Sequence, residues 1–235
     1  MNSIRFFLFL LFWLALLIDC FLIALNHPEY RIYTKTLLAP LLLLTIYIEA
    51  RDTKHERSKI LVNLAFFFCF IGDFLLIKDA ETVDSSGGYF VFGIISFLIA
   101  QLFFIFFFYR LKRFSAKHRI FIFITGFLVT IYIALLLFLI WRNVSLQSLQ
   151  IPIVVYAVIL GLMIMTAINT IKNKSLKRLA SNYFIPGAAL FVLSDSILAI
   201  NKFSHPFYYG AIAAMITYGG AIFLLANGIV RFLKK

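Results

Sequence analysis

Residues 59–78 read KILVNLAFFFCFIGDFLLIK. A lysine stands at each end, and Asn63 and Asp73 are the strongly polar side chains between them. A run of this length crosses about 30 Å of hydrocarbon as one α-helix. Just before it, residues 51–58 read RDTKHERS, a short polar turn. Apolar run and polar turn together set the scale for reading the rest of the chain.

Seven more runs of the same kind can be marked, at roughly 5–25, 34–50, 89–109, 120–141, 150–171, 179–201 and 206–230. The second is the shortest. The connections are brief, as in RLKRFSAKHR at 110–119 and KNKSLKR at 172–178. The expected fold is therefore all-α, a polytopic transmembrane bundle of eight helices. Residues 1–235 form a single integral membrane domain in this reading, and its chemistry takes place in or at the bilayer.

Composition agrees. Of the 235 residues, 63% are hydrophobic and only 14% charged, whereas a soluble domain carries about a quarter charged. A net charge of +12 in a soluble protein would raise nucleic-acid binding. Here the cations lie between apolar runs, where they set membrane orientation instead, so membrane lipid is the expected partner and nucleic acid is not. Cys20 and Cys69 both fall inside apolar spans, which argues against a structural disulfide or zinc site. The first span carries no small-x-small cleavage site and reads as a true helix.

Counting cations on alternate sides orients the bundle. Seventeen of the 22 Lys and Arg lie on one side: Arg5, the 51–59, 110–119 and 172–178 connections, and the tail from Arg231. Arg31, Lys35, Lys78, Arg142 and Lys202 lie on the other. The excess places both termini in the cytoplasm, in keeping with an even helix count and with a multi-pass protein of a bacterial inner membrane. A faint echo links helices 3 and 7, where FIGDFLLI at 70–77 and LSDSILAI at 193–200 each set an Asp after a small residue. A 4+4 parallel repeat would give that pattern.

Asp19, Asp73 and Asp195 lie within the spans. A carboxylate there costs several kcal/mol and faces the bundle interior, usually with a task. At 1.5 Å per residue, Asp73 sits about 21 Å and Asp195 about 24 Å from the cytoplasmic end. That matched depth points to one shared cavity. Small residues mark close helix packing, and they share each stripe: Ala65 and Cys69 with Asp73, Gly187, Ala188 and Ala199 with Asp195. Asp19 has no such context and reads as structural. Lys35 opens helix 2 at the same outer level, placed either to snorkel to the headgroups, to meet a phosphate or to hold one Asp ionised. Gln101, near the middle of helix 4, is an amide that needs partners. Tyr218 and Asn227 lie in helix 8. All four histidines, His27, His55, His118 and His205, fall in connections, and none of the usual nucleophile or metal motifs occurs.

Four stretches, in order, resemble successive motifs of the YhhN-like lysoplasmalogenases: TKTLLAP at 34–40, the Gly72-Asp73 pair, GIISFLIAQ at 93–101 and SDSILAINKF at 194–203. That resemblance implies an eight-helix membrane enzyme that cleaves the vinyl ether bond of lysoplasmalogens, releasing a fatty aldehyde and a glycerophospho-base. It implies Asp73 and Asp195 as catalytic residues with Lys35 nearby; Gln101 and Tyr218 join Lys35 as candidate substrate contacts. Two positions depart from the family's habit: Gln101 where His is frequent, and Ala221-Ile222 where Ala-Gln is usual.

The chemistry suits these residues independently. A vinyl ether is hydrolysed by protonating its β-carbon, and water captures the oxocarbenium ion that results. Such a reaction needs an acid that keeps its proton near neutral pH, which burial and a neighbouring carboxylate both favour, and no metal or cofactor. Two other classes fit the same features: a small-solute or proton-coupled transporter, which also uses buried acids and repeats, and a non-catalytic lipid-binding relative.

Overall fold

A computed structural model describes residues 3–81, 88–146 and 149–235. Eight helices long and apolar enough to cross a membrane appear in the expected order, and no strand occurs among the described residues. They are α1 (Ser3–Ala24), α2 (Arg31–Glu49), α3 (Glu56–Glu81), α4 (Gly88–Leu111), α5 (Arg119–Leu146), α6 (Gln150–Asn169), α7 (Lys177–Phe203) and α8 (Gly210–Leu233). The protein is an all-α, integral, multi-pass membrane protein. The second span is longer than its sequence run. A 3-10 turn over Pro28–Tyr30 leads straight into α2, extending the span to Pro28–Glu49. Proline suits a first helical turn, where its missing N–H has no partner to lose.

The chain forms two compact units. Unit 1 comprises Met1–Phe103 with Ala226–Lys235, and unit 2 comprises Phe104–Leu225.

In unit 1, α1 ends where Asn26 takes a left-handed φ of 56°. His27 N–H bonds Leu22 C=O at 3.0 Å and Asn26 N–H bonds Ile23 C=O at 3.2 Å, so the last carbonyls are capped. The start of α1, the end of α2 and the tail of α8 converge at one end. Arg5 Nη2 donates to Asn227 Oδ1 at 2.9 Å, and its Nη1 lies 3.7 Å from buried Glu49, which also pairs with Lys234. Thr53, in the α2–α3 turn, donates to Leu233 C=O at 2.6 Å. Both ends of the chain therefore lie on the same side of this unit, as an even number of crossings requires.

Close approach of α3 to α4 depends on a missing side chain. A Cβ on Gly72 would sit 2.6 Å from Phe97 Cε2, inside van der Waals contact. Lipid tails are as apolar as leucine, so helix association in a membrane rests on such packing rather than on water exclusion.

In unit 2 the core is aromatic. Phe184 packs against Phe107 and Phe108 with ring centroids 5.8 and 5.5 Å apart, and Phe104 meets Phe191 at 6.4 Å. Glycines again set two contacts: Gly161 on α6 against Ile133 of α5, and Gly187 on α7 against Leu225 of α8. α7 holds a single π-helical turn at Ala180–Phe184. Pro186 follows it, and a proline in a continuous helix lacks an N–H for the carbonyl four residues back and presses its ring against it. The wider turn accommodates that crowding without ending the helix. α5 is the lipid-facing helix of this unit, with only 6% of its span buried.

Candidate active site

Two fully buried carboxylates of unit 1, Asp19 and Asp73, each meet a cation of α2. Asp19 of α1 is fully buried. Arg31 reaches it with Nη2 at 3.1 Å and Nε at 3.3 Å, and Thr34 donates a third bond at 2.8 Å. A forked guanidinium and a hydroxyl satisfy both oxygens, so Asp19 is the tie between α1 and α2, in line with the structural role its sequence context suggests. One turn further along α2, Lys35 points at α3. Its Nζ lies 3.5 Å from Asp73 Oδ1, and Asp73 has no solvent exposure. The same face of α3 buries Ala65 and Cys69 completely, so the stripe of small residues expected around Asp73 does line the interior. Gly72, one residue before the carboxylate, admits the Phe97 ring of α4. Gln101 lies one helical turn beyond Phe97 on α4 and is fully buried.

In unit 2 a carboxylate accepts from a neutral donor. The Tyr156 hydroxyl of α6 donates to Asp195 Oδ2 at 2.6 Å. On either side of Asp195 the serines are also engaged. Ser194 donates to Ala214 C=O of α8 at 2.9 Å. Ser196 donates to Val192 C=O at 2.7 Å, so its 2.6 Å contact with Tyr132 of α5 is a bond in which the phenol is the donor. Three helices thus fix one short segment of α7: α5 through Tyr132, α6 through Tyr156 and α8 through Ala214. Tyr218 of α8 is buried, its ring edge-on to Phe191, one turn before Asp195, at 5.9 Å. Beside this network lies an apolar cavity of about 340 Å³ among α5, α6 and α7, whose lining includes Tyr132, Leu128, Gly161, Ala189 and Leu193.

The sequence-derived residues therefore fall into two groups. Lys35, Asp73 and Gln101 belong to unit 1, with Lys35 and Asp73 in direct contact. Asp195 and Tyr218 belong to unit 2, on facing helices. The histidines stand in connections or, for His118, in a 3-10 turn. Among the described residues no cluster of three or more His, Cys, Asp or Glu is placed to hold a metal ion.

The sequence model of the YhhN family matches residues 30–229, most of the chain. The chain belongs to the YhhN family. The YhhN match contains Lys35, Asp73, Gln101, Asp195 and Tyr218 and leaves out Asp19, whose partners already assign it to helix packing. No curated protein and no solved structure shows significant similarity to the chain.

Sequence reasoning missed Tyr132 and Tyr156. Both sit within apolar runs, TIYIALL at 130–136 and VVYAVIL at 154–160. A signal existed, the same one that singled out Gln101: a polar tip deep in a span needs a partner. Tyrosines draw less attention there because so many of them simply mark the membrane interface.

Proposed function

We propose that this YhhN protein hydrolyses the vinyl ether bond of lysoplasmalogens, alkenyl-glycerophosphocholine or alkenyl-glycerophosphoethanolamine, yielding a fatty aldehyde and the glycerophospho-base. Lysoplasmalogenase is the known activity of the family. The observation that carries the reading to this chain is that both motif aspartates survive and each is held by a specific partner inside the helices, Asp73 by Lys35 and Asp195 by Tyr156. An acid within a membrane span usually has a task, and Asp73 and Asp195 fall inside the YhhN match, whereas Asp19 does not.

The mechanism needs a carboxylic acid and a carboxylate, the roles that the family resemblance implies for Asp73 and Asp195. One delivers a proton to the β-carbon of the vinyl ether, and the electron pair of the double bond forms the new C–H bond. The oxocarbenium ion left behind is stabilised by the ionised partner. Water adds at the positive carbon and yields its proton to that partner. The resulting hemiacetal passes its hydroxyl proton to the ether oxygen and splits into aldehyde and alcohol. Lys35 neutralises Asp73 in the resting protein and meets the phosphodiester of the bound substrate. Gln101 and Tyr218 are the further candidate contacts of the substrate. Both termini lie in the cytoplasm, on the asymmetry of Lys and Arg.

The test is free aldehyde measured by mass spectrometry after the purified protein meets alkenyl and acyl lysophospholipids side by side. Aldehyde is expected from the alkenyl lipid alone. Asp73→Asn and Asp195→Asn should each lower its release by about 100-fold or more, the contribution of a positioned proton donor or acceptor. Undiminished turnover in both variants, or equal attack on the acyl lipid, would overturn the proposal.

A further inference from the structure

Apart from Asp195, no acidic side chain occurs in unit 2, and nine cations crowd the two turns at one end of it. The α4–α5 connection supplies Arg110, Lys112, Arg113, Lys117 and Arg119; the α6–α7 connection supplies Lys172, Lys174, Lys177 and Arg178. The structure joins the two turns. Asn169 donates to Lys112 C=O at 2.9 Å and Asn173 donates to Leu111 C=O at 3.0 Å. Lys172 crosses over to stand 3.8 Å above the Phe121 ring of α5. Most of the other cations are exposed. Arg119 among them lines a groove of about 630 Å³ together with Phe114, Ser115, Ile120 and Phe123.

We infer that this end of unit 2 is a binding site for the phosphate-bearing headgroup of an anionic membrane lipid, with its chains lying along Ile120 and Phe123. Charge complementarity selects the headgroup: basic clusters at the end of membrane helices attract anionic lipids by about 1 kcal/mol per cation. The lining selects a lipid over a soluble anion, because Arg119 and Ser115 share the groove with Phe114, Ile120 and Phe123, a polar donor set fused to an apolar floor. Orientation alone does not account for the patch. The α2–α3 turn of unit 1 carries Arg51, Lys54, Arg57 and Lys59 and still includes Asp52 and Glu56. Cations suffice to orient a membrane protein and acids do little against it. Exclusion of every carboxylate from the unit 2 turns is an added feature that a recognition site for anions requires. This inference is independent of the hydrolase reading.

The experiment reconstitutes the full chain in phosphatidylcholine vesicles with traces of spin-labelled phosphatidylglycerol or phosphatidylcholine and reads the fraction of each lipid immobilised by the protein. The expected preference for phosphatidylglycerol is about five-fold at low salt, the ratio given by one fully effective cation, and it shrinks as salt screens the charges. Arg113→Gln/Lys117→Gln/Arg119→Gln brings the ratio toward one, whereas Lys54→Gln/Arg57→Gln in unit 1 leaves it unchanged. Should the triple variant aggregate, Arg113→Gln alone, at an exposed side chain, decides the same question through a smaller drop. Equal binding of both lipids by the unaltered protein overturns the site, as does equal loss in the unit 1 and unit 2 variants. Replacing chloride by inorganic phosphate at matched ionic strength is expected to change nothing. Abolition of the preference by phosphate alone would make the site one for a free anion and sink the lipid assignment.

Discussion

Unit 1 carries eleven Lys and Arg beside nine Asp and Glu; unit 2 carries eleven beside Asp195 alone. Their interiors follow the same division. Asp19, Glu49 and Asp73 of unit 1 each face an arginine or lysine. Asp195 of unit 2 accepts from a phenol, and its neighbours are bonded to a second phenol and to backbone carbonyls. The difference teaches that a carboxylate can be kept among lipid-spanning helices in two ways, with different consequences when a partner is lost. Removing a cation strands a buried charge, which is costly. Removing a phenol deletes one hydrogen bond and leaves an acceptor, which costs less.

The largest expected effect tests the ionic half. Lys35→Met should destabilise the protein by about 3–5 kcal/mol, the typical result of breaking a buried ion pair on one side. Adding Asp73→Asn to it should restore most of the loss, because no charge is then stranded. Thermal unfolding of the purified protein in detergent reads both. A double variant no more stable than the single would show that the 3.5 Å pair is not what holds α2 to α3. Next in size is Gly72→Ala, beside the same carboxylate. Its new methyl group would meet the Phe97 ring at 2.6 Å, and overpacking of this kind costs about 1–3 kcal/mol. A Gly72→Ala variant as stable as the parent would mean that α3 and α4 yield easily at this point.

How far the sequence foretold this arrangement depends on the kind of contact. The eight spans were legible, because a run such as 59–78 states its length and its polarity directly. Burial of Asp73 with Ala65 and Cys69 was legible too, since helical spacing puts them on one face. The boundary of α2 was not: Pro28-Glu29-Tyr30 reads as a polar turn, and only the 3-10 geometry joins it to the helix. The pairing of Arg31 with Asp19, leaving Lys35 for Asp73, was not legible either. Arg31, Thr34 and Lys35 all lie within about one turn, and which of them meets which carboxylate depends on how α1 and α3 are rotated against α2. Periodicity within one helix carries no information on that. Tyr132 and Tyr156 escaped for a related reason, since the bonds they make depend on which helices stand next to α7.

The smaller predictions probe the neutral half. Tyr156→Phe removes the donor to Asp195 and should cost about 1–1.5 kcal/mol, the worth of a short hydrogen bond between helices in a membrane. Because Asp195 is the proposed reactive group, aldehyde release should also fall. Unaltered turnover in Tyr156→Phe, with Asp195→Asn inactive, would show that Asp195 acts without the phenol.

Tyr132→Phe is the smallest change expected, about 0.6 kcal/mol, and the reason lies in the direction of its bond. Ser196 has already given its single proton to Val192 C=O, so the phenol is the donor and Ser196 loses only an incoming bond. No buried donor is stranded. The Tyr132 ring is 41% exposed and keeps its place beside the apolar cavity as phenylalanine. Unfolding measurements on the two tyrosine variants therefore rank the acceptors: a carboxylate in the first, a hydroxyl in the second. Equal losses from both would mean that Asp195 draws no more from its donor than a serine does, and the contrast between a carboxyl and a hydroxyl acceptor in unit 2 would disappear.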